Sequence, residues 1–273
     1  MNQDHAHILR RDIGVELLGS ANEIVQFRQR LDALKEQLGP REFGWYPYGT
    51  LDNFYLFNQL LTAENRRLLD FMGDGVSVDI GAADGDTAFF LESLGKRMHV
   101  VDFAPTNFNG CRGVRLLKDA LCSAVEVSEI DLDQGFRLPA ARYELAFFLG
   151  ILYHLRNPYM VLEGLARSAR HALLSTRIAR YNVAEAYSPA DDGINRERVE
   201  LASVPIAYLV GEDECNKDAT NFWMFSEAGL RRILHRTGWD VLDYMSVGNT
   251  TQSDPASPGG DERAVCLLRS RLV

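Results

Sequence analysis

The sequence has few cysteines, few lysines and no long apolar run. Its four cysteines (Cys111, Cys122, Cys215 and Cys266) are scattered, without a Cys-x-x-Cys pair or a histidine at zinc-binding spacing. We therefore expect free thiols in a reducing compartment and no metal site. No apolar run approaches the roughly 20 residues that span a bilayer, and residues 1–12 contain no hydrophobic signal region. These absences predict a soluble, cytoplasmic protein with no membrane partner.

Positive charge comes almost entirely from arginine. Only four lysines occur (Lys35, Lys96, Lys118 and Lys217), and the chain of 273 residues carries a formal net charge of −9. A net negative field repels nucleic acid at long range, although a local arginine patch can still bind phosphate. The charge balance disfavours a nucleic-acid partner without excluding one.

Residues 76–105 carry the most informative pattern of the sequence. An apolar run at 76–80 leads into a turn rich in glycine and alanine. An amphipathic segment from Asp86 to Leu94 and a second apolar run ending at Asp102 follow. This pattern predicts a strand, a tight turn, a helix and a second strand. An acid roughly twenty residues after the turn can accept both hydroxyls of a ribose, so the pattern indicates a nucleoside-binding crevice.

The turn combines small residues with a preceding acid. Gly81, Ala83 and Gly85 let the backbone bend sharply and approach a ligand where a larger side chain would collide. Ala83 stands where a dinucleotide-binding turn has its second glycine, and Asp79 lies just before Gly81. A carboxylate at that place repels a diphosphate but attracts the ammonium group of an amino-acid moiety.

These features resemble motif I of the class I S-adenosylmethionine-dependent methyltransferases, in which Asp102 matches the ribose-binding acid. The resemblance implies an α/β fold, Rossmann-like and doubly wound with a mostly parallel sheet, and S-adenosylmethionine (SAM) as the cofactor. Asp131 is the candidate for binding the adenine amine, with Asp119 in reserve and a solvated acidic turn as the alternative. The cofactor-binding residues predicted in this way are Asp79, Gly81, Ala83, Gly85, Asp102, Phe103, Asp131, Leu132 and Gly150.

Later apolar runs predict the rest of the sheet. The run Val114–Leu117 is favoured over Val125–Val127 as the third strand, and the nearly continuous apolar run Tyr143–Arg156 fits a buried parallel strand. The final two strands, Trp239–Val247 and Arg263–Ser270, follow each other without a helix, so we expect an antiparallel last strand at the sheet edge. A methyltransferase sheet typically reverses its last strand, whereas a dehydrogenase sheet does not.

The chain divides into a helical N-terminal extension over 1–40 and a methyltransferase domain over 41–273. In the extension, apolar residues recur at steps of three and four, which predicts a helix that docks on the core or on another subunit to give a homodimer. Apolar periodicity lapses over 179–220, where nine acids face four bases. Long loops inside a compact domain are usually lids or disordered, and we favour an inserted lid over the substrate.

An aromatic loop and a histidine motif are the candidates for acceptor binding and catalysis. Trp45, Tyr46 and Tyr48 belong to a loop that either lines a ligand pocket or plugs the sheet edge. The run Gly150–Pro158 resembles a signature of the tRNA wobble-uridine (5-oxyacetate) carboxymethyltransferases, as do residues 44–49 and 221–226. That family's cofactor is a carboxylated SAM, gripped partly by lysines that precede motif I.

This chain has no lysine between Lys35 and Lys96, so plain SAM is expected and the carboxylated form is disfavoured. Tyr153 matches a tyrosine of that grip, and Tyr153 and Asn221 complete the predicted substrate-binding residues. His154 is the candidate general base, with Tyr153 beside it, or else a structural residue that holds the following turn.

The leading functional hypothesis is a SAM-dependent methyltransferase that acts on a small-molecule acceptor. One alternative is a tRNA wobble-uridine carboxymethyltransferase. Another is a non-catalytic protein that keeps the fold and uses its N-terminal helix and aromatic loop to bind a partner. Its motivation is the apolar stripe from Ile24 to Leu38 and the presence of Ala83 in the turn.

Overall fold

The computed structural model describes residues 21–39, 42–61, 68–184, 197–251, 253–255 and 261–273. The strands are β1 (Val76–Ile80), β2 (Arg97–Asp102), β3 (Glu126–Glu129), β4 (Tyr143–Leu149), β5 (Ala169–Ile178), β6 (Tyr181–Ala184), β7 (Glu197–Glu200), β8 (Ala207–Leu209), β9 (Trp223–Phe225), β10 (Trp239–Gly248) and β11 (Glu262–Ser270). The helices are α1 (Ala21–Leu38), α2 (Asn53–Leu60), α3 (Leu68–Met72), α4 (Asp86–Ser93), α5 (Arg112–Ala120), α6 (Pro158–Ser168) and α7 (Glu227–Arg236).

The main sheet runs in the order β10, β11, β5, β4, β1, β2, β3, with β8 and β9 attached beside β5. Strand β1 pairs in parallel with β2 and β4, and β4 pairs in parallel with β5. Strand β11 is antiparallel to both of its neighbours, β5 and β10. The predicted α/β fold with a mostly parallel sheet and an antiparallel last strand is confirmed.

Helices cover both faces of this sheet, because alternate residues of its inner strands point to opposite sides. On β4, Phe147 joins the apolar layer that includes residues of α1 to α5. The next residue, Phe148, joins the opposite layer, to which α6 and α7 contribute. Both phenylalanines are fully buried.

The prediction for the third strand is wrong. Residues Val114–Leu117 lie in helix α5, and the third strand is Glu126–Glu129. Val114 and Leu117 are both buried, which fits a helical step of three residues along the inner face. Strand β3 overlaps the alternative run Val125–Val127, and its half-exposed or exposed residues at the sheet edge give it a weaker apolar signal than the buried residues of α5.

Helix α1 docks on the core of the sheet. Ile24, Phe27 and Leu31 are buried in the same layer as α2 and α4, and the rings of Phe27 and Phe90 are 5.3 Å apart. Of the two predicted dockings for this helix, the structure shows the one on the core. The division of the chain at residue 40 stays a prediction.

The predicted inserted lid over 179–220 contains regular structure in its described part. Strands β6 and β7 form an antiparallel hairpin, and β8 pairs with β9. Leu201, Val210 and Cys215 pack with Met224 in a small apolar cluster. Residues 185–196 of the predicted lid lie outside the described residues, and the lid role stays a prediction.

None of the helices in the described ranges combines the length and apolar character needed to cross a membrane.

Candidate active site

Four parallel strands bring their carboxyl ends to one edge of the sheet, where the predicted cofactor residues lie. Gly81 follows β1, Asp102 ends β2, Asp131 follows β3 and Gly150 follows β4. The backbone N–H of Gly81 donates to the carbonyl of Val101 at 2.8 Å. This edge is the crevice that open α/β sheets use for ligands.

The glycine turn is folded tightly against β4. Gly81 and Gly85 have φ values of +69° and +83°, and a β-carbon on Gly81 would collide with the side chain of Ile151. Ala83 has a φ of +54°, in the left-handed region that favours glycine. A residue with a β-carbon costs roughly 1–2 kcal/mol there, so the turn holds strain at the position where the sequence departs from the glycine pattern.

Asp102 fastens the turn to the end of β2. Its Oδ2 accepts hydrogen bonds from the backbone N–H of Ala83 at 3.0 Å and from Nδ2 of Asn107 at 2.9 Å, and its Oδ1 accepts from the backbone N–H of Phe103 at 2.8 Å. Burial raises the pKa of Asp102, and these hydrogen bonds act in the opposite direction. A carboxylate offers about four acceptor positions, so the carboxylate is held in place and retains capacity for one more donor.

A buried acid pair lies beside the turn and shares one cation from α1. Lys35 Nζ is 2.9 Å from Oδ2 of Asp86 and 3.5 Å from Oδ2 of Asp84. Asp84 also accepts from the backbone N–H of Tyr46 at 2.8 Å and from Nδ2 of Asn109 at 2.7 Å. The acid pair therefore ties the N-terminal helix and the aromatic loop to the glycine turn.

Asp79 is buried on β1, next to the turn. Burial, followed by the charges of Asp102 and Asp86, raises the pKa of Asp79 to about 8. All three influences act in the same direction, so the side chain is protonated at neutral pH until a cation approaches it.

The opposite side of the crevice carries aromatic rings and a cation. Arg263, at the start of β11, donates from Nη1 to the hydroxyl of Tyr153 at 3.3 Å. Gly150 lies against the same two groups, since a β-carbon there would be 3.2 Å from the Tyr153 hydroxyl and 3.8 Å from Arg263 Nη1. Burial raises the pKa of Tyr46, with Tyr153 and Tyr48 acting in the same direction and Arg263 against them.

His154 ends the short 3-10 turn that follows β4, and its ring centroid is 4.3 Å from that of Tyr153. Its Nδ1 is 3.1 Å from the carbonyl oxygen of Thr220. Burial lowers the pKa of His154, so the imidazole is neutral at pH 7.

The remaining predicted site residues occupy different surroundings. Trp45 packs beside Lys35, whose Nζ is 5.5 Å from the ring centroid, and Tyr48 is 72% exposed. Asp131 accepts at Oδ1 from the backbone N–H of Asp133, and Leu132 is buried in the α6 and α7 layer. Asn221 is buried and donates from Nδ2 to the carbonyl of Cys215 at 3.2 Å.

Several residues that build the site carry no motif in the sequence: Lys35, Asp84, Asn107, Asn109 and Arg263. Asp84 could have been found, because it lies inside the glycine turn. Lys35 and Arg263 lie far from the turn in the chain and reach the crevice only through the docking of α1 and the reversal of β11.

No family model matches the sequence, and no curated protein sequence matches it. Among solved structures, the chain resembles the N-terminal domain of EvdMO1 with SAH bound, with a TM-score of 0.53 and 15% identity, covering 89% of this chain and 97% of that one. The same domain in the presence of SAH and D-fucose gives a TM-score of 0.52 at 15% identity, again over 89% and 97% of the two chains.

The crystal structure of EvdMO1 itself gives a TM-score of 0.51 at 16% identity, and it matches over 89% of this chain but 48% of the EvdMO1 chain. The chain therefore spans about half the length of that protein. The sheet order and the reversed strand β11 match the architecture of these structures. This chain has the Rossmann-like methyltransferase fold. Within that methyltransferase fold, the turn after β1 and the acid at the end of β2 lie at the edge where the crevice opens.

Proposed function

We propose that this protein is a SAM-dependent methyltransferase with a small-molecule acceptor. The observation that carries the proposal is the hydrogen bond between the glycine turn and Asp102, which the backbone N–H of Ala83 donates to the Asp102 carboxylate. This contact supports the proposal because it holds Asp102, the candidate ribose-binding acid, beside a turn that a ligand can approach closely. The structural neighbours crystallised with SAH, the product of SAM, support the same cofactor.

The residues present fit SAM. Gly81 and Gly85 keep the turn free of side chains, and Asp102 retains capacity to accept from a ribose hydroxyl. The buried carboxyl of Asp79 would ionise beside the ammonium of the methionine part, because an opposite charge favours the charged form. Asp131 follows β3 at the same edge and is the candidate for the adenine amine.

When bound, SAM supplies an electrophilic methyl group on a sulfonium centre. This chain's residues would then align an acceptor, exclude water and remove a proton where the acceptor carries one. Tyr46, Tyr153 and Arg263 form an aromatic and cationic surface at the crevice for that acceptor. The net charge of −9 favours a small molecule over nucleic acid.

Isothermal titration calorimetry of the full chain with SAM and with SAH tests the proposal. We expect both to bind at micromolar concentration with one site per chain. NAD serves as the matched control, because Ala83 stands where a dinucleotide-binding turn has its second glycine. If neither SAM nor SAH binds at high micromolar concentration, the proposed function fails.

Arg263 favours one second candidate function, the transfer of a carboxymethyl group from carboxylated SAM. The sequence offers no lysine between Lys35 and Lys96 for the added carboxylate. The fold, however, places the guanidinium of Arg263 on the hydroxyl of Tyr153, the residue that matches the grip of the tRNA carboxymethyltransferases. The affinities of SAM and carboxylated SAM decide between methyl transfer and carboxymethyl transfer. Carboxymethyl transfer predicts that the carboxylated form binds more tightly and that Arg263→Met removes this preference.

The alternative of a non-catalytic partner protein loses its main motivation. The apolar stripe of α1 that would bind a partner is turned inward, with Ile24 and Leu31 each no more than 2% exposed. A tRNA substrate predicts binding that weakens steeply with salt, and a filter-binding assay at low salt tests it directly.

A further inference from the structure

The side chains of His154, Thr220 and Asp218 form a continuous hydrogen-bonded chain at the crevice. Nδ1 of His154 is 3.0 Å from Oγ1 of Thr220, and that oxygen is 2.6 Å from Oδ1 of Asp218. The backbone N–H of Thr220 also donates to Oδ1 of Asp218, at 3.0 Å. The histidine comes from the turn after β4, whereas the other two residues come from the segment that precedes β9.

The chemistry of the three groups fixes the position of each proton. An ionised carboxylate only accepts, so the hydroxyl proton of Thr220 points to Asp218 and the Thr220 oxygen offers its lone pairs to His154. The Thr220 carbonyl, 3.1 Å from the same Nδ1, also only accepts. Nδ1 of His154 therefore carries the proton in both contacts, and the lone pair of the neutral ring lies on Nε2.

The surroundings of His154 keep the ring neutral. Arg263 and Arg177 lie on the same side of the crevice, and their charges oppose protonation, whereas the charge of Asp218 favours it. Asp261 pairs with both arginines, at 3.0 Å from Nε of Arg177 and 3.6 Å from Nε of Arg263. Nε2 has no hydrogen-bond partner in the part of the chain that the structure describes.

We propose that Thr220 and Asp218 are positioning residues that hold His154 with Nε2 as the general base, so that the acceptor bears a hydroxyl or amine proton. This inference rests on the proposed function. In the step it describes, the acceptor proton moves to Nε2 while the acceptor lone pair forms the bond to the methyl carbon. The carbon–sulfur bond breaks and its electrons stay on sulfur. His154 ends as an imidazolium whose Nδ1 proton is held by Thr220.

Nitrogen-15 NMR of the histidine side chains in the full-length protein tests this arrangement without an acceptor. In the ligand-free protein we expect the Nδ1–H tautomer at His154. Asp218→Asn and Thr220→Val should each lower the pH midpoint at which His154 titrates, because both remove support for the charged ring. Thr220→Ser keeps the hydroxyl and should retain the wild-type midpoint, and His171 is the internal control. Thr220 is exposed, so these substitutions leave the core intact.

A second arm compares two ligands that differ by one methyl group and one positive charge. If Nε2 faces the transferred methyl, the sulfonium of SAM should lower the His154 midpoint relative to the neutral SAH complex, and His171 should not respond. A dominant Nε2–H tautomer, unchanged midpoints in both Asp218→Asn and Thr220→Val, or equal midpoints with SAM and SAH would overturn the inference. The ligand-free measurements test only the hydrogen-bonded chain of His154, Thr220 and Asp218. If neither SAM nor SAH binds in calorimetry, the proposed function itself is refuted.

Discussion

The two sides of the crevice differ in the ionisable side chains that they carry. The side formed by β1, β2 and their turns holds four acidic residues, Asp79, Asp84, Asp86 and Asp102, of which Asp84 and Asp86 pair with Lys35. The side formed by the ends of β4, β5 and β11 holds Arg177 and Arg263, which both pair with Asp261, together with the neutral ring of His154 and tyrosine rings. An acidic side suits the cationic sulfonium and ammonium groups of a cofactor, and a cationic, aromatic side suits an acceptor of different charge. We therefore propose that the two sides of this sheet edge bind the two reactants separately.

The largest effect is expected at Lys35, the cation that pairs with Asp84 and Asp86. Lys35→Met leaves Asp84 and Asp86 buried without that partner, and breaking a buried pair in this way costs about 3–5 kcal/mol. Side-chain exposures of 12% for Lys35 and 13% for Asp86 place the pair in the desolvated range. Urea unfolding measures the loss, and Lys118→Met is the matched control because it leaves both acids paired. A loss below about 1 kcal/mol would mean that the pair behaves like a surface ion pair.

Asp79 should make stability depend on pH. Its pKa is about 8 in the folded protein against 3.8 for the ordinary group, so between these values the folded state holds one more proton than the unfolded state. Stability should therefore fall as pH rises through this window, by about 1.4 kcal/mol per pH unit from this group. Asp79→Asn removes that slope, and urea unfolding of both proteins at several pH values between 5 and 7 measures the difference. A constant difference across this range would show that Asp79 is ionised in the folded protein.

The same carboxyl should release a proton when a cationic ligand arrives. At pH 7 most folded molecules hold the Asp79 proton, and the ammonium of SAM favours its loss. Calorimetry in buffers of different ionisation enthalpy should detect proton release on SAM binding in the wild type and little in Asp79→Asn. Equal proton release in the two proteins would assign the effect to another group.

The smallest effect concerns the strained turn. Ala83→Gly relieves a φ of +54° and should stabilise the protein by about 1 kcal/mol, with cofactor affinity preserved. The gain is measured by urea unfolding, with Ala82→Gly as the control at a neighbouring buried alanine. A loss of stability in Ala83→Gly would show that Ala83 is not strained.

The sequence sufficed for the elements whose signal is local. The turn at Gly81 to Gly85 and the reversed pair of final strands both follow from neighbouring residues, and each is present. Strand β3 was misplaced because an edge strand need not be apolar. Lys35, Thr220 and Arg263 could not be assigned from the sequence, because their partners lie 51, 66 and 110 residues away.

The division of the crevice into a cofactor side and an acceptor side is tested most directly by one pair of variants. Asp102→Ala removes an anchored acceptor on the cofactor side, and loss of one charge-assisted hydrogen bond of about 1.5–3 kcal/mol should weaken SAH binding by roughly one to two orders of magnitude. His154→Gln changes only the acceptor side and should leave SAH affinity within about twofold, since its ring contacts Thr220 and Tyr153 rather than the turn. Asp102→Asn, which keeps the side-chain volume, and melting temperatures of all three variants control for folding. The account predicts a large loss in the first variant and none in the second, whereas equal SAH affinities for Asp102→Ala and the wild type would contradict it.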